Sequence, residues 1–256
     1  MQKIKFIFAG IFLFLSISCA ELQQIVNETL EGERPLTRSE IVSGLKEALV
    51  VGTNKSVEEL GVLNGYYLDE MVKIYLPPEA DVIVDNISKI PGGQDLIDDV
   101  LLRINRAAED AVTEAKPIFV NAVTSMTIPD AFEILKGEND AATEYLRRTT
   151  YNGLFDLYRP KIQVSLDKKL VGGISTAESW NTLTNQWNKV AGTVVGQIAG
   201  LERVEVNLDE YLTAKALDGL FLKIEEEEAR IRENPAARVT ELLRRVFGSV
   251  DNQTNS

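Results

Sequence analysis

The stretch "DLIDDVLLRINRAAEDAVTEA", residues 95–115, decides the fold class. Val100, Leu101, Ile104, Ala107, Ala108, Ala111, Val112 and Ala115 recur at the i, i+3, i+4, i+7 spacing that lines one face of an α-helix. Asp95, Asp98 and Asp99 fall in its first turn, where acids favour the helix dipole. The spacing predicts a helix over about 94–116, opened after Pro91-Gly92-Gly93 and bent or restarted at Pro117.

Helical signals continue on both sides. Upstream, "TRSE" at 37–40 pairs Thr37 as N-cap with Glu40 as its return partner, a capping box for a helix ending near Gly52. "SVEE" at 56–59 repeats the box, Gly61 and Gly65 interrupt, and a helix follows Pro77-Pro78 as far as "KIPGG". Downstream, "TIPD" pairs Thr127 with Asp130 to open "DAFEILKG", and Asn139 or Asp140 caps the next helix. Pro160 starts a further segment to about Val171. "STAE" at 175–178 is another capping box, "NLDE" at 207–210 opens a helix to about Glu233, and Asn234-Pro235 opens a last one that stops at Gly248. "GTVVGQIAG" reads as either a short strand or a loose helix. The expected fold is all-α: one irregular domain of roughly ten helices over residues 39–248, with a disordered tail at 249–256.

Several of these stretches share a resemblance. Residues 104–150, "INRAAEDAVTEAKPIFVNAVTSMTIPDAFEILKGENDAATEYLRRTT", resemble a bacterial family known as domain of unknown function 4197. "GLKEAL" at 44–49, "IYLPP" at 74–78 and "YLTAKALDGLFLKIEEEEARIRENPAARVTELLRRVFG" at 211–248 resemble it too. The resemblance implies an exported, mainly helical bacterial protein. It brings no activity and no catalytic residues, and residues 170–204 carry little of it.

The N-terminus reads as an export signal over residues 1–18. Lys3 and Lys5 precede an apolar run from Phe6 to Ile17, and Ser16 and Ser18 give a small-x-small cleavage site before Cys19. The run is shorter than the roughly 20 residues of a spanning helix. Cys19 is the only cysteine, so no disulfide can staple the chain, and acylation explains its presence. The match to a lipobox departs at one point: Ser16, not leucine, stands three residues before the cysteine. The alternative is an incidental cysteine in an exported chain. Residues 19–38 form a tether, and the expected location is the cell envelope, facing the periplasm, as an outer-membrane lipoprotein.

Composition narrows the chemistry. The net charge of −12 becomes −14 once the leader and its two lysines are removed, which disfavours nucleic acid as a partner. No histidine exists anywhere, which removes the commonest general base and metal ligand. No phosphate-loop motif, calcium loop or cofactor signature is present. "EEEE" at 225–228 reads as a solvated face with Glu226–Arg230 and Glu228–Arg232 pairs, and Trp180 and Trp187 share one helical face of the core.

One polar group stands out. Asn105, Arg106 and Glu109 sit among alanines, with Arg106 in reach of Glu109 or Asp110. Alanines allow close helix approach, so these groups are candidates for a buried polar network with Thr127, Asp130, Thr143 and Thr149. Such a network fixes helix register or holds a polar ligand. The functional expectation is a non-enzymatic binding or scaffolding module for an envelope protein or small ligand. The alternatives are a carrier of an apolar ligand and a hydrolase using carboxylates such as Glu109 and Asp130.

Overall fold

The computed structural model describes residues 34–251. The expected leader, Cys19, most of the tether and residues 252–256 lie outside that range. From Arg38 onward the described chain packs as one unit. Its nine α-helices are α1 (Arg38–Leu60), α2 (Asp81–Asp85), α3 (Gly93–Ser125), α4 (Ala131–Leu135), α5 (Ala141–Asp167), α6 (Thr176–Ala191), α7 (Val194–Ile198), α8 (Leu208–Glu233) and α9 (Glu241–Asp251). Among the described residues there is no strand, only an isolated bridge between Val171 and Ile174. The fold is all-α, as the periodicity of residues 95–115 requires.

The long helix α3 is the axis. Helices α1, α5 and α6 pack along it, α8 packs against α1 and α5, and α9 closes over α1. The core is built from Leu45, Leu49, Ile104, Val112, Phe119, Leu146, Tyr158, Leu217 and Phe221, each nearly or wholly buried. Phe119 meets Phe221 with ring centroids 5.2 Å apart and planes tilted by 55°. Burial of each large apolar side chain contributes about 1.5–3 kcal/mol, which suffices without sulfur bridges. Trp180 and Trp187 belong to this core, and the Trp187 indole donates to the Glu202 carbonyl at 2.8 Å.

Three expected breaks are absent, each for a physical reason. Helix α1 runs through Gly52 to Leu60 and takes in the second supposed capping box. Gly52 is a crossing point: a Cβ there would lie 3.3 Å from Ile224 Cγ2, so its missing side chain lets α8 approach. Helix α3 continues through Pro117 and α5 through Pro160. Both prolines are exposed, and so are Thr113 and Asp156, whose carbonyls lose their intrahelical donor and can turn to water.

Other termini also differ. "TIPD" forms no capping box: α4 starts at Ala131, its N-cap Asp130 makes no side-chain cap bond, and the Thr127 carbonyl accepts from the Tyr145 hydroxyl at 2.7 Å. The helix expected after Pro78 is divided into short 3₁₀ and α turns. Asn234 caps only a 3₁₀ turn, Pro235–Ala237. Helix α9 then runs past Gly248 to Asp251, whose carboxylate pairs with buried Arg238, so residues 249–251 are helical rather than disordered. The box at Ser175–Glu178 forms as expected, with both reciprocal bonds present.

Candidate functional site

Asn105, Arg106 and Glu109 all face the segment between α1 and η-turn Pro78–Ala80, and they strap it to α3. The Asn105 amide accepts from the Ile74 amide N–H at 2.9 Å and donates to the Ile74 carbonyl at 2.8 Å. One Glu109 oxygen accepts from the backbone N–H groups of Tyr66 and Tyr67 at 3.2 and 3.1 Å. The other accepts from Arg106 at 2.6 Å. Arg106 also donates to the Asn64 side chain at 2.7 Å and lies over the Tyr67 ring. Asn64 adopts a left-handed backbone, φ 73°, which asparagine tolerates better than most residues.

This strap positions Tyr66 in the core. Its hydroxyl donates to the Ala216 carbonyl at 2.9 Å, and Gly219 leaves room for its ring, which a Cβ would approach within 2.9 Å. Burial, with the Glu109 charge second, pushes the Tyr66 phenol far above its ordinary range. Every polar atom of the Asn105–Arg106–Glu109 group that these bonds use is directed at chain, not at an opening.

Thr143 belongs to a different centre. Glu228, only 1% exposed, accepts from the backbone N–H groups of Ala142 and Thr143 at 3.0 and 2.7 Å and from the Thr143 hydroxyl at 2.6 Å. Its carboxylate thereby caps α5 from another helix, where the dipole favours a negative charge. Arg232 pairs with Glu228 at 2.7 Å and donates to the carbonyls of Ile134 and Leu135 at the end of α4. The solvated face expected of "EEEE" is therefore corrected at two positions: Glu227 and Glu228 are buried. The Glu228–Arg232 pair forms, whereas Glu226 pairs with Lys223 and Arg230 with Glu227.

A third centre had no mark in the sequence reading. Buried Arg103 binds Asp99 at 2.7 Å and the carbonyls of Val171 and Ile174, while Ser179 donates to the same Asp99 oxygen at 2.6 Å. The Arg103 guanidinium holds the Asp99 carboxyl below its ordinary range, aided by Ser179. Arginine at i+4 from an acid was the available signal.

Thr127 and Thr149 line an open groove of about 790 Å³ between the C-terminal half of α3 and α5. Its apolar wall comes from Pro117, Ile118, Ala122, Met126, Leu154 and Leu157, and no lining residue is charged. Three lining hydroxyls bond back to their own helices: Ser125 donates to the Asn121 carbonyl, Thr149 to Tyr145 and Thr150 to Leu146, at 2.6–2.8 Å. Asp130 is exposed before α4 and joins neither the strap nor the groove. The seven residues expected to form one network are divided among a strap, a helix cap, a groove wall and a surface position. Cys19 lies outside the described residues. Among the described residues, no group of three or more His, Cys, Asp or Glu side chains is placed to hold a metal ion, and no helix is long and apolar enough to cross a membrane.

No curated protein and no solved structure matches the chain. The family model described as protein of unknown function (DUF4197) matches residues 35–248, the span of α1 through most of α9, and the chain therefore belongs to that family.

Proposed function

We propose that the protein is a non-enzymatic binding module of the bacterial cell envelope, held at a membrane by acyl chains on Cys19 and facing the periplasm as an outer-membrane lipoprotein. Its binding surface is the groove between α3 and α5. The observation that carries this reading is the groove's lining: about 790 Å³ without a charged side chain, with the hydroxyls of Ser125, Thr149 and Thr150 bonded back to their own helices. That volume lies in the roughly 300–1,000 Å³ range of small-molecule sites. The hydrolase alternative has less support, because Glu109 is engaged by Tyr66, Tyr67 and Arg106 while Asp130 is exposed elsewhere.

The test uses the full chain in phosphatidylcholine vesicles with photoactivatable hexadecanol, a neutral probe. Adducts are expected in the peptides covering residues 117–127 and 145–157, and Gly153→Leu, which projects a side chain into the groove, should remove them. Adducts scattered over the surface would refute the groove. Mass spectrometry of the membrane-extracted protein should separately find an acylated N-terminal Cys19, and an unmodified thiol would remove the anchor.

A further inference from the structure

The groove does not end in neutral residues. Thr149 and Gly153 line both it and an adjoining cleft of about 390 Å³, which Arg147, Arg148 and Asp218 also line. Arg148 is exposed and makes no ion pair among the described residues, and its guanidinium lies 5.4 Å from the ring centroid of Tyr145, itself a groove residue. Arg147 is loosely held: the nearest oxygens of Glu144, Asp218 and Glu225 lie 3.6–3.7 Å away, and its Nε is buried without a hydrogen-bond partner. One exposed guanidinium, that of Arg148, thus stands at one end of an uncharged trough, beside Arg147, which three carboxylates surround and which lies over the Phe221 ring.

Gly153 joins the two spaces. It lies inside α5 with no positive φ, and a Cβ there would meet nothing within 4 Å. Glycine at such a position costs about 0.5–1 kcal/mol against alanine. Neither packing nor turn geometry within the chain requires it. The missing side chain leaves the α5 backbone open to close approach at this point.

We propose that the groove binds a fatty-acid-like amphiphile, its single acyl chain along Ile118, Ala122, Met126 and Leu157 and its carboxylate over Gly153 at Arg148. This rests on the groove being the binding surface. Charge complementarity at Arg148 selects the head: its guanidinium fork matches a carboxylate, and the acids around neighbouring Arg147 oppose a doubly charged phosphate more than a monoanion. The groove's size fits a small ligand, since about 790 Å³ lies within the roughly 300–1,000 Å³ of small-molecule sites.

Photoactivatable palmitate is compared with photoactivatable hexadecanol on the full chain in the same vesicles. Palmitate should label residues 117–127 and 145–157 more strongly than hexadecanol. Arg148→Gln should cut palmitate labelling by about fivefold, the upper end for an exposed charge contact, and leave hexadecanol unchanged. Equal labelling by both probes, or an indifferent Arg148→Gln, overturns the anionic head while the binding surface stands. Failure of both probes overturns the two readings together. A dimer chemically crosslinked through α5, with no palmitate adduct, assigns the groove to a second copy and also overturns the proposal.

Discussion

The two halves of α3 use polar residues in opposite ways. Before Pro117, Arg103, Asn105 and Glu109 are buried, and each binds backbone of a segment remote in sequence. After Pro117, Thr124 and Ser125 donate to carbonyls of their own helix, and the surface between α3 and α5 stays open. The first half spends its hydrogen bonds on holding irregular chain against a helix. The second spends them internally and offers an apolar wall. Buried polar groups with complete partners mark architecture here, whereas an uncharged, mainly apolar wall leaves a surface open.

The largest expected effect tests the architectural side at its most buried point. Glu228→Ala leaves the Arg232 guanidinium, 6% exposed, without its carboxylate and two amide N–H groups of α5 without an acceptor. Removing one partner of a buried pair costs about 3–5 kcal/mol. Denaturant unfolding should show a loss of that size with groove labelling preserved in the fraction that folds. A loss below 1 kcal/mol would mean that water reaches this centre.

Arg106→Ala should cost less, about 2 kcal/mol, because Glu109 keeps its two backbone donors when the cation is gone. The effect should be local as well. Amide hydrogen exchange should accelerate at Tyr66, Tyr67 and Ile74 more than in α8, since the strap and not the bundle is weakened. Uniform acceleration would show that strap and bundle open together.

A pH titration separates the third centre from the groove. Arg103 lowers the Asp99 pKa in the folded state, so this group contributes stability that is fully present above its unfolded pKa, about 3.9, and is lost as pH falls through the lower folded value. Stability should therefore fall below about pH 4, and Asp99→Asn should flatten part of that limb. The segment around Val171 and Ile174, held by Arg103, should be the part that loosens first. An acid limb identical in both proteins would deny Asp99 that role.

The fold was legible because helical periodicity is a local property, and α3 follows it closely. Asn105, Arg106 and Glu109 were legible because polar residues interrupt an alanine stripe on one helix. Their partners were not: backbone N–H groups at Tyr66, Tyr67 and Ile74 have no side-chain signature. Glu228 failed for a related reason. Spacing within "EEEE" counts neighbours on one helix, while its burial depends on the starts and ends of α4 and α5 arriving on top of it. Gly52, Pro117 and Pro160 look like stops because punctuation rules assume an isolated helix. Tertiary packing overrides them where a glycine lets a neighbour approach or a proline's lost hydrogen bond faces solvent. The groove had no motif at all, only Thr127 and Thr149, which the sequence placed in a buried polar network and the structure places in the groove wall.

Two helical glycines give the smallest and sharpest test of the contrast between architecture and open surface. A Cβ on Gly44 would lie 2.7–2.9 Å from three carbons of Val246, so α9 depends on that glycine. A Cβ on Gly153 would meet nothing within 4 Å. Gly44→Ala should therefore destabilise, by overpacking a helix crossing. Gly153→Ala should stabilise by about 0.5–1 kcal/mol, because alanine restricts the unfolded chain and favours the helix at no steric cost. Chemical denaturation of both variants checks the signs. A Gly153→Ala protein that gains stability but loses labelling by hexadecanol and palmitate would show that the glycine serves what the groove binds, and a destabilised one would place it with Gly44 among the residues that hold the fold.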